Sequence, residues 1–108
     1  MSRRKALTHV FEVTMMTNSL YLQSADEIVG YSLPLRALWY AAHGDWEQAH
    51  RLVQDDSSTA CAWIHAYLHR VEGDLGNARY WYQRAGKNEP IDKSLDQELN
   101  ELIAAFIE

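Results

Sequence analysis

Apolar residues recur at helical spacing from residue 34 to the end of the chain, and this periodicity predicts an all-α fold. The clearest face, with spacing i, i+3, i+4 and i+7, consists of Leu35, Leu38, Trp39 and Ala42. No segment alternates between apolar and polar residues for long enough to predict a strand. We expect five helices, at about 34–43, 46–54, 59–72, 75–85 and 94–108.

Capping residues mark the ends of these helices and predict how they are connected. Gly73 can adopt the left-handed conformation that ends a helix, and Asp74 can accept hydrogen bonds from the free N–H groups of the next one. The same Gly-Asp pair occurs 29 residues earlier, at Gly44 and Asp45. The pattern therefore predicts two antiparallel helical hairpins, at about 34–54 and 59–86.

The last helix is predicted to be an amphipathic cap on these hairpins. Ser94, followed three residues later by Gln97, is typical of a capping box. One stripe of the helix is apolar, while the opposite side, which includes Glu98, is expected to face water. The apolar stripe consists of Leu95, Leu99, Leu102, Ile103 and Phe106.

The helical region, residues 31–108, is predicted to form a single domain preceded by an N-terminal segment. Residues 1–15 show no clear period, and we expect them to form a flexible arm, followed by a short helix before residue 30. An alternative is that translation starts at Met15 or Met16. At 108 residues, the chain has room for one hydrophobic core.

The second hairpin resembles a tetratricopeptide repeat. The matching residues are Ala66, Gly73, Asp74, Ala78, Tyr82, Ala85 and Pro90. The repeat period here is 29 residues, against 34 in the family. The resemblance implies a concave face that binds a protein or peptide partner. On this chain that face would consist of Leu38, Trp63, Tyr67 and Arg70.

Charge and cysteine content narrow the classes of partner. The chain has 15 acidic residues against 10 Lys and Arg, for a net charge of −5, which disfavours a nucleic-acid partner. Cys61 is the only cysteine, so no internal disulfide can form, which is typical of a reducing cytoplasm. No apolar run reaches the ~18 residues that span a bilayer. We expect a soluble cytoplasmic protein without a membrane partner.

Two histidines and a glutamate on the third helix form a candidate polar site. His65, His69 and Glu72 have the spacing i, i+4 and i+7, which brings three side chains close enough to bind one metal ion. The alternative is that both histidines are packed between helices, with hydrogen bonds to Asp74, Asn77 or a backbone carbonyl. The spacing alone does not decide between these interpretations.

The sequence favours a non-enzymatic interaction module without a cofactor. Trp, Tyr and Arg residues such as Trp63, Tyr67 and Arg70 are typical of binding surfaces. Three alternatives stay open: the chain's own last helix or its N-terminal segment fills this groove, a second copy covers it in a homodimer, or the function lies in the His65, His69 and Glu72 site. That site would bind a metal ion or a small molecule and would allow catalysis.

Overall fold

The computed structural model describes residues 20–107, and all regular structure in that range is helical. A helical turn at 20–22 is followed by five helices, which confirms the all-α prediction for this part of the chain. The predicted arm at 1–15 lies outside the described residues. The helices are α1 (Leu33–Ala42), α2 (Trp46–Val53), α3 (Thr59–Glu72), α4 (Leu75–Ala85) and α5 (Leu95–Phe106).

Each helix follows a serine or aspartate cap, and the sequence predicted three of these caps, Asp45, Asp74 and Ser94. A side-chain oxygen of the cap accepts a hydrogen bond from the backbone N–H three residues later, which satisfies one of the unpaired donors of the first turn. The capping box of Ser94 and Gln97 is reciprocal, as predicted. The five caps are Ser32, Asp45, Ser58, Asp74 and Ser94.

Helix α3 lies at the centre of the fold and contacts all four other helices. Its residues from Cys61 to His69 are all buried. The helix ends at Gly73, whose φ of 85° requires the left-handed conformation that glycine adopts without strain. Asp74 then begins α4, so that α3 and α4 pack as neighbours across a short turn.

The segment before α1 contributes to the same core. Leu20 and Ile28 are buried with the apolar residues of the helices, so the domain boundary expected at residue 30 does not separate two packing units. The short helix expected before residue 30 is seen only at 20–22, and the chain forms turns from 25 to 30. Across residues 20–107, no helix combines the length and the apolar character needed to cross a membrane.

Candidate functional site

Three of the five histidines of the chain converge where α2 meets α3. His50 lies on α2, and His65 and His69 lie one turn apart on α3. One ring nitrogen from each can be chosen so that all three lie within 4.8 Å of one another. We call these three residues the histidine cluster. His65 and His69 are buried, and His50 is partly buried, so the cluster lies at the edge of the core.

A direct contact links the two helices within this cluster. The Nε2 atoms of His50 and His65 are 3.0 Å apart, so one ring donates a hydrogen bond and the other accepts it. The two rings meet nearly at right angles, at 86°. The rings of His65 and His69 stack with their centroids 4.8 Å apart.

Two tryptophans hold the outer faces of the cluster. Trp46 stacks on His50 with a centroid distance of 4.7 Å, and Trp81 stacks on His65 at 3.9 Å. Trp46 also donates a hydrogen bond from Nε1 to the carbonyl oxygen of Leu68, at 2.6 Å. Because each indole restricts how an imidazole can rotate, the orientations of His50 and His65 are fixed by packing.

Glu72 orients the third histidine. Its Oε1 lies 2.5 Å from Nδ1 of His69, one turn earlier on the same helix. A carboxylate at Nδ1 keeps the proton on that nitrogen and leaves Nε2 with a free lone pair. The sequence prediction grouped Glu72 with the two histidines as a third ligand. The structure pairs it with His69, and His50 completes the three-histidine set.

The surroundings of the cluster favour uncharged imidazoles. Burial lowers the pKa of His65 to about 4, with a further contribution from the neighbouring His50 and His69. Burial also lowers the pKa of His50, and His69 adds to this effect. At neutral pH both rings are therefore neutral and carry the lone pair that a metal ligand needs.

The hydrogen bonds of these histidines differ from those expected for packed structural residues. The sequence alternative paired them with Asp74, Asn77 or a backbone carbonyl, whereas His65 contacts His50 and His69 contacts Glu72. Within the described residues, Nδ1 of His65 is buried and has no hydrogen-bond partner. A buried polar nitrogen without a partner costs free energy, so Nδ1 of His65 does not add to the stability of the fold.

Most of the predicted partner-binding residues lie inside the protein. Leu38 is fully buried, and Trp63 and Tyr67 are 8% and 5% exposed. Arg70 keeps part of its side chain at the surface. Helix α5 contacts both α1 and α3, the helices that carry these four residues. Of the alternatives that the sequence left open, this arrangement agrees with a groove filled by the chain's own last helix.

The contact between α5 and α3 is organised by Glu98, which is only 2% exposed. Its carboxylate accepts hydrogen bonds from Trp63 Nε1 at 3.3 Å, Arg70 at 2.9 Å and the Tyr82 hydroxyl at 2.7 Å. The expectation that Glu98 faces water is therefore wrong. The sequence could have indicated that Glu98 is buried, because Glu98 is one turn before Leu102 and lies on the same face of the helix.

The periodicity of α3 could not identify His50 as a member of the histidine cluster, because His50 is on a different helix. A weak signal exists in the spacing of α2, where His50 lies one turn after Trp46. Comparisons of the chain with protein-family models, with curated proteins and with solved structures each found no match.

Proposed function

We propose that this chain binds one divalent transition-metal ion through His50, His65 and His69. The observation that carries the proposal is the convergence of three imidazole nitrogens, from two helices, within 4.8 Å of one another. Imidazole nitrogen is a common ligand of Zn²⁺, Cu²⁺ and Ni²⁺, whereas Mg²⁺ and Ca²⁺ prefer oxygen. The ligand set therefore favours the first group.

The spacing within the cluster supports a tetrahedral site. Zinc–nitrogen bonds of about 2.1 Å place two ligand nitrogens about 3.4 Å apart in a tetrahedron. The 3.0 Å separation of the His50 and His65 nitrogens is close to this value, so a small shift would admit the ion. Glu72 would act from outside the ligand set, by holding His69 with Nε2 directed away from the carboxylate.

Three protein ligands would leave a fourth position for water or an external molecule. The proposed function is binding of the ion. The sequence also predicts that the protein is not an enzyme, and this stays a prediction. The two Gly-Asp turns, at Gly44-Asp45 and Gly73-Asp74, support a tetratricopeptide-like arrangement of the helix pairs as part of the proposal. Partner binding through Trp63 and Tyr67 has less support, because both side chains are buried.

The test is a metal titration of the full chain after treatment with a chelator. We expect isothermal titration calorimetry to give one Zn²⁺ per chain, and elemental analysis after dialysis to give the same ratio. His50→Gln and His69→Gln should each weaken binding. His43→Gln provides a matched control, because His43 lies outside the cluster and stacks on Trp39. Absence of bound Zn²⁺, Cu²⁺ and Ni²⁺, or unchanged affinity in His50→Gln, would overturn the proposal.

A further inference from the structure

The candidate ligands are divided between two helix pairs. His50 belongs to α2, which packs against α1 and α3, whereas His65 and His69 belong to α3, which packs against α4. An ion held by all three would therefore bond to both sides of the contact between α2 and α3. We call this contact the α2–α3 junction.

Few other interactions hold α2 at this junction. Within α2 itself, only Ala49 and Val53 are buried. Its side chains make two described hydrogen bonds to α3, from Trp46 to the Leu68 carbonyl and between His50 and His65. None of the ion pairs among residues 20–107 joins the two helices. The polar contacts across the junction are therefore few, and one of the two belongs to the histidine cluster itself.

Two pockets that open to solvent border the tryptophans that stack on the histidine cluster. One, of about 90 Å³, is lined by Trp46 together with residues of α3 that include Leu68. The other, of about 370 Å³, is lined by Gln54, which follows α2, and by Trp81 of α4. The contacts around the cluster are therefore close to solvent, and contacts near the surface open more readily than those deep in a core.

We propose that the bound ion locks α2 against α3, so that metal occupancy controls how firmly the first helix pair is held. This inference rests on the metal binding proposed above. An ion coordinated by His50 and by the two α3 histidines has to lose a ligand before α2 can separate. A ligand that binds only the closed junction stabilises it in proportion to the occupancy of the site. The site would thus respond to metal concentration through the position of α2.

Hydrogen–deuterium exchange of the full chain, followed by mass spectrometry with and without Zn²⁺, tests this inference. At a free Zn²⁺ concentration of 100 times the dissociation constant, exchange of α2 amides through junction opening should slow by about 100-fold. The exchange rates of α5 amides that exchange by local opening should be the same with and without Zn²⁺, because no candidate ligand is on that helix. Calorimetry on the same sample gives the stoichiometry of binding.

The outcomes separate the two proposals. Binding of one Zn²⁺ per chain without slower exchange in α2 would overturn the locking inference and leave metal binding intact. Absence of Zn²⁺, Cu²⁺ and Ni²⁺ binding would overturn both. In His50→Gln, α2 should show no slowing even when Zn²⁺ saturates the remaining ligands, and slowing in that variant would contradict the inference. His43→Gln should respond as the unaltered chain does.

Discussion

The Nε2 atoms of His50 and His65 lie 3.0 Å apart, although the two residues are 15 positions apart and on different helices. The packing that surrounds them fixes this separation, since Trp46 lies behind one ring and Trp81 behind the other. A site whose ligands are already positioned binds an ion without a large ordering cost. His50 and His65 are therefore already positioned to bind an ion together.

Replacement of Glu72 by glutamine should weaken metal binding without unfolding the protein. The glutamine side chain can accept a hydrogen bond from His69, but it lacks the charge that makes the imidazole a stronger ligand. Loss of such an outer partner lowers metal affinity by about 10–100-fold in characterised sites. Calorimetric titration of Glu72→Gln with Zn²⁺ measures the change.

Glu101 offers a matched control for this measurement. It is an exposed glutamate that pairs with Lys93, far along the chain from the cluster. Glu101→Gln should bind Zn²⁺ as the unaltered chain does. Equal affinities in Glu72→Gln and Glu101→Gln would show that the contact between Glu72 and His69 has no influence on the site.

The helices were predictable from the sequence because their signals are local. Periodicity located each helix within two residues of its observed bounds, and the caps at Asp74 and Ser94 marked where helices begin. The candidate site was only partly predictable. The spacing of His65 and His69 is a local property of α3, whereas the approach of His50 depends on how α2 packs, which no local pattern encodes.

Glutamine in place of Glu98 should destabilise the fold strongly. The carboxylate accepts hydrogen bonds from Trp63, Arg70 and Tyr82, and an amide would present its own N–H₂ group to some of these donors. Arg70 would also lose its ion-pair partner. We expect a decrease of about 3 kcal/mol in the free energy of unfolding, measured by urea denaturation.

The exposed pair of Lys93 and Glu101 again provides the comparison. Because both side chains are nearly half exposed, Glu101→Gln should change the stability by less than about 1 kcal/mol. If the two glutamine variants unfold at the same urea concentration, the Glu98 network does not stabilise the attachment of α5.

Truncation of Trp63 to alanine should destabilise the protein, because the side chain is 8% exposed and contacts Phe106 of α5. Removal of a buried aromatic side chain costs about 3–5 kcal/mol. Tyr80→Ala, at a half-exposed tyrosine of α4, should cost no more than about 0.5 kcal/mol. Thermal unfolding of both variants and of the unaltered chain, followed by circular dichroism, compares their stabilities. Stability of Trp63→Ala equal to that of the unaltered chain would favour the partner-binding surface predicted from the sequence.

The metal-free protein should lose stability on mild acidification, because the pKa of His65 is lowered by burial and by its histidine neighbours. In the unfolded chain this histidine takes up a proton near pH 6.5, whereas in the folded protein its pKa is about 4. Between these values the unfolded state binds more protons, so stability falls as the pH falls. His50, whose pKa is also lowered, acts in the same direction.

Between pH 6.5 and pH 5, the contribution of His65 amounts to about 1.6 kcal/mol, because the slope approaches 1.36 kcal/mol per pH unit only when the unfolded histidine is mostly protonated. Urea denaturation in the presence of a chelator, repeated at several pH values, measures the slope. His65→Gln should show a shallower decrease over this range. Identical slopes in His65→Gln and the unaltered chain would contradict the lowered pKa of His65 that follows from its burial against Trp81 and beside His50 and His69.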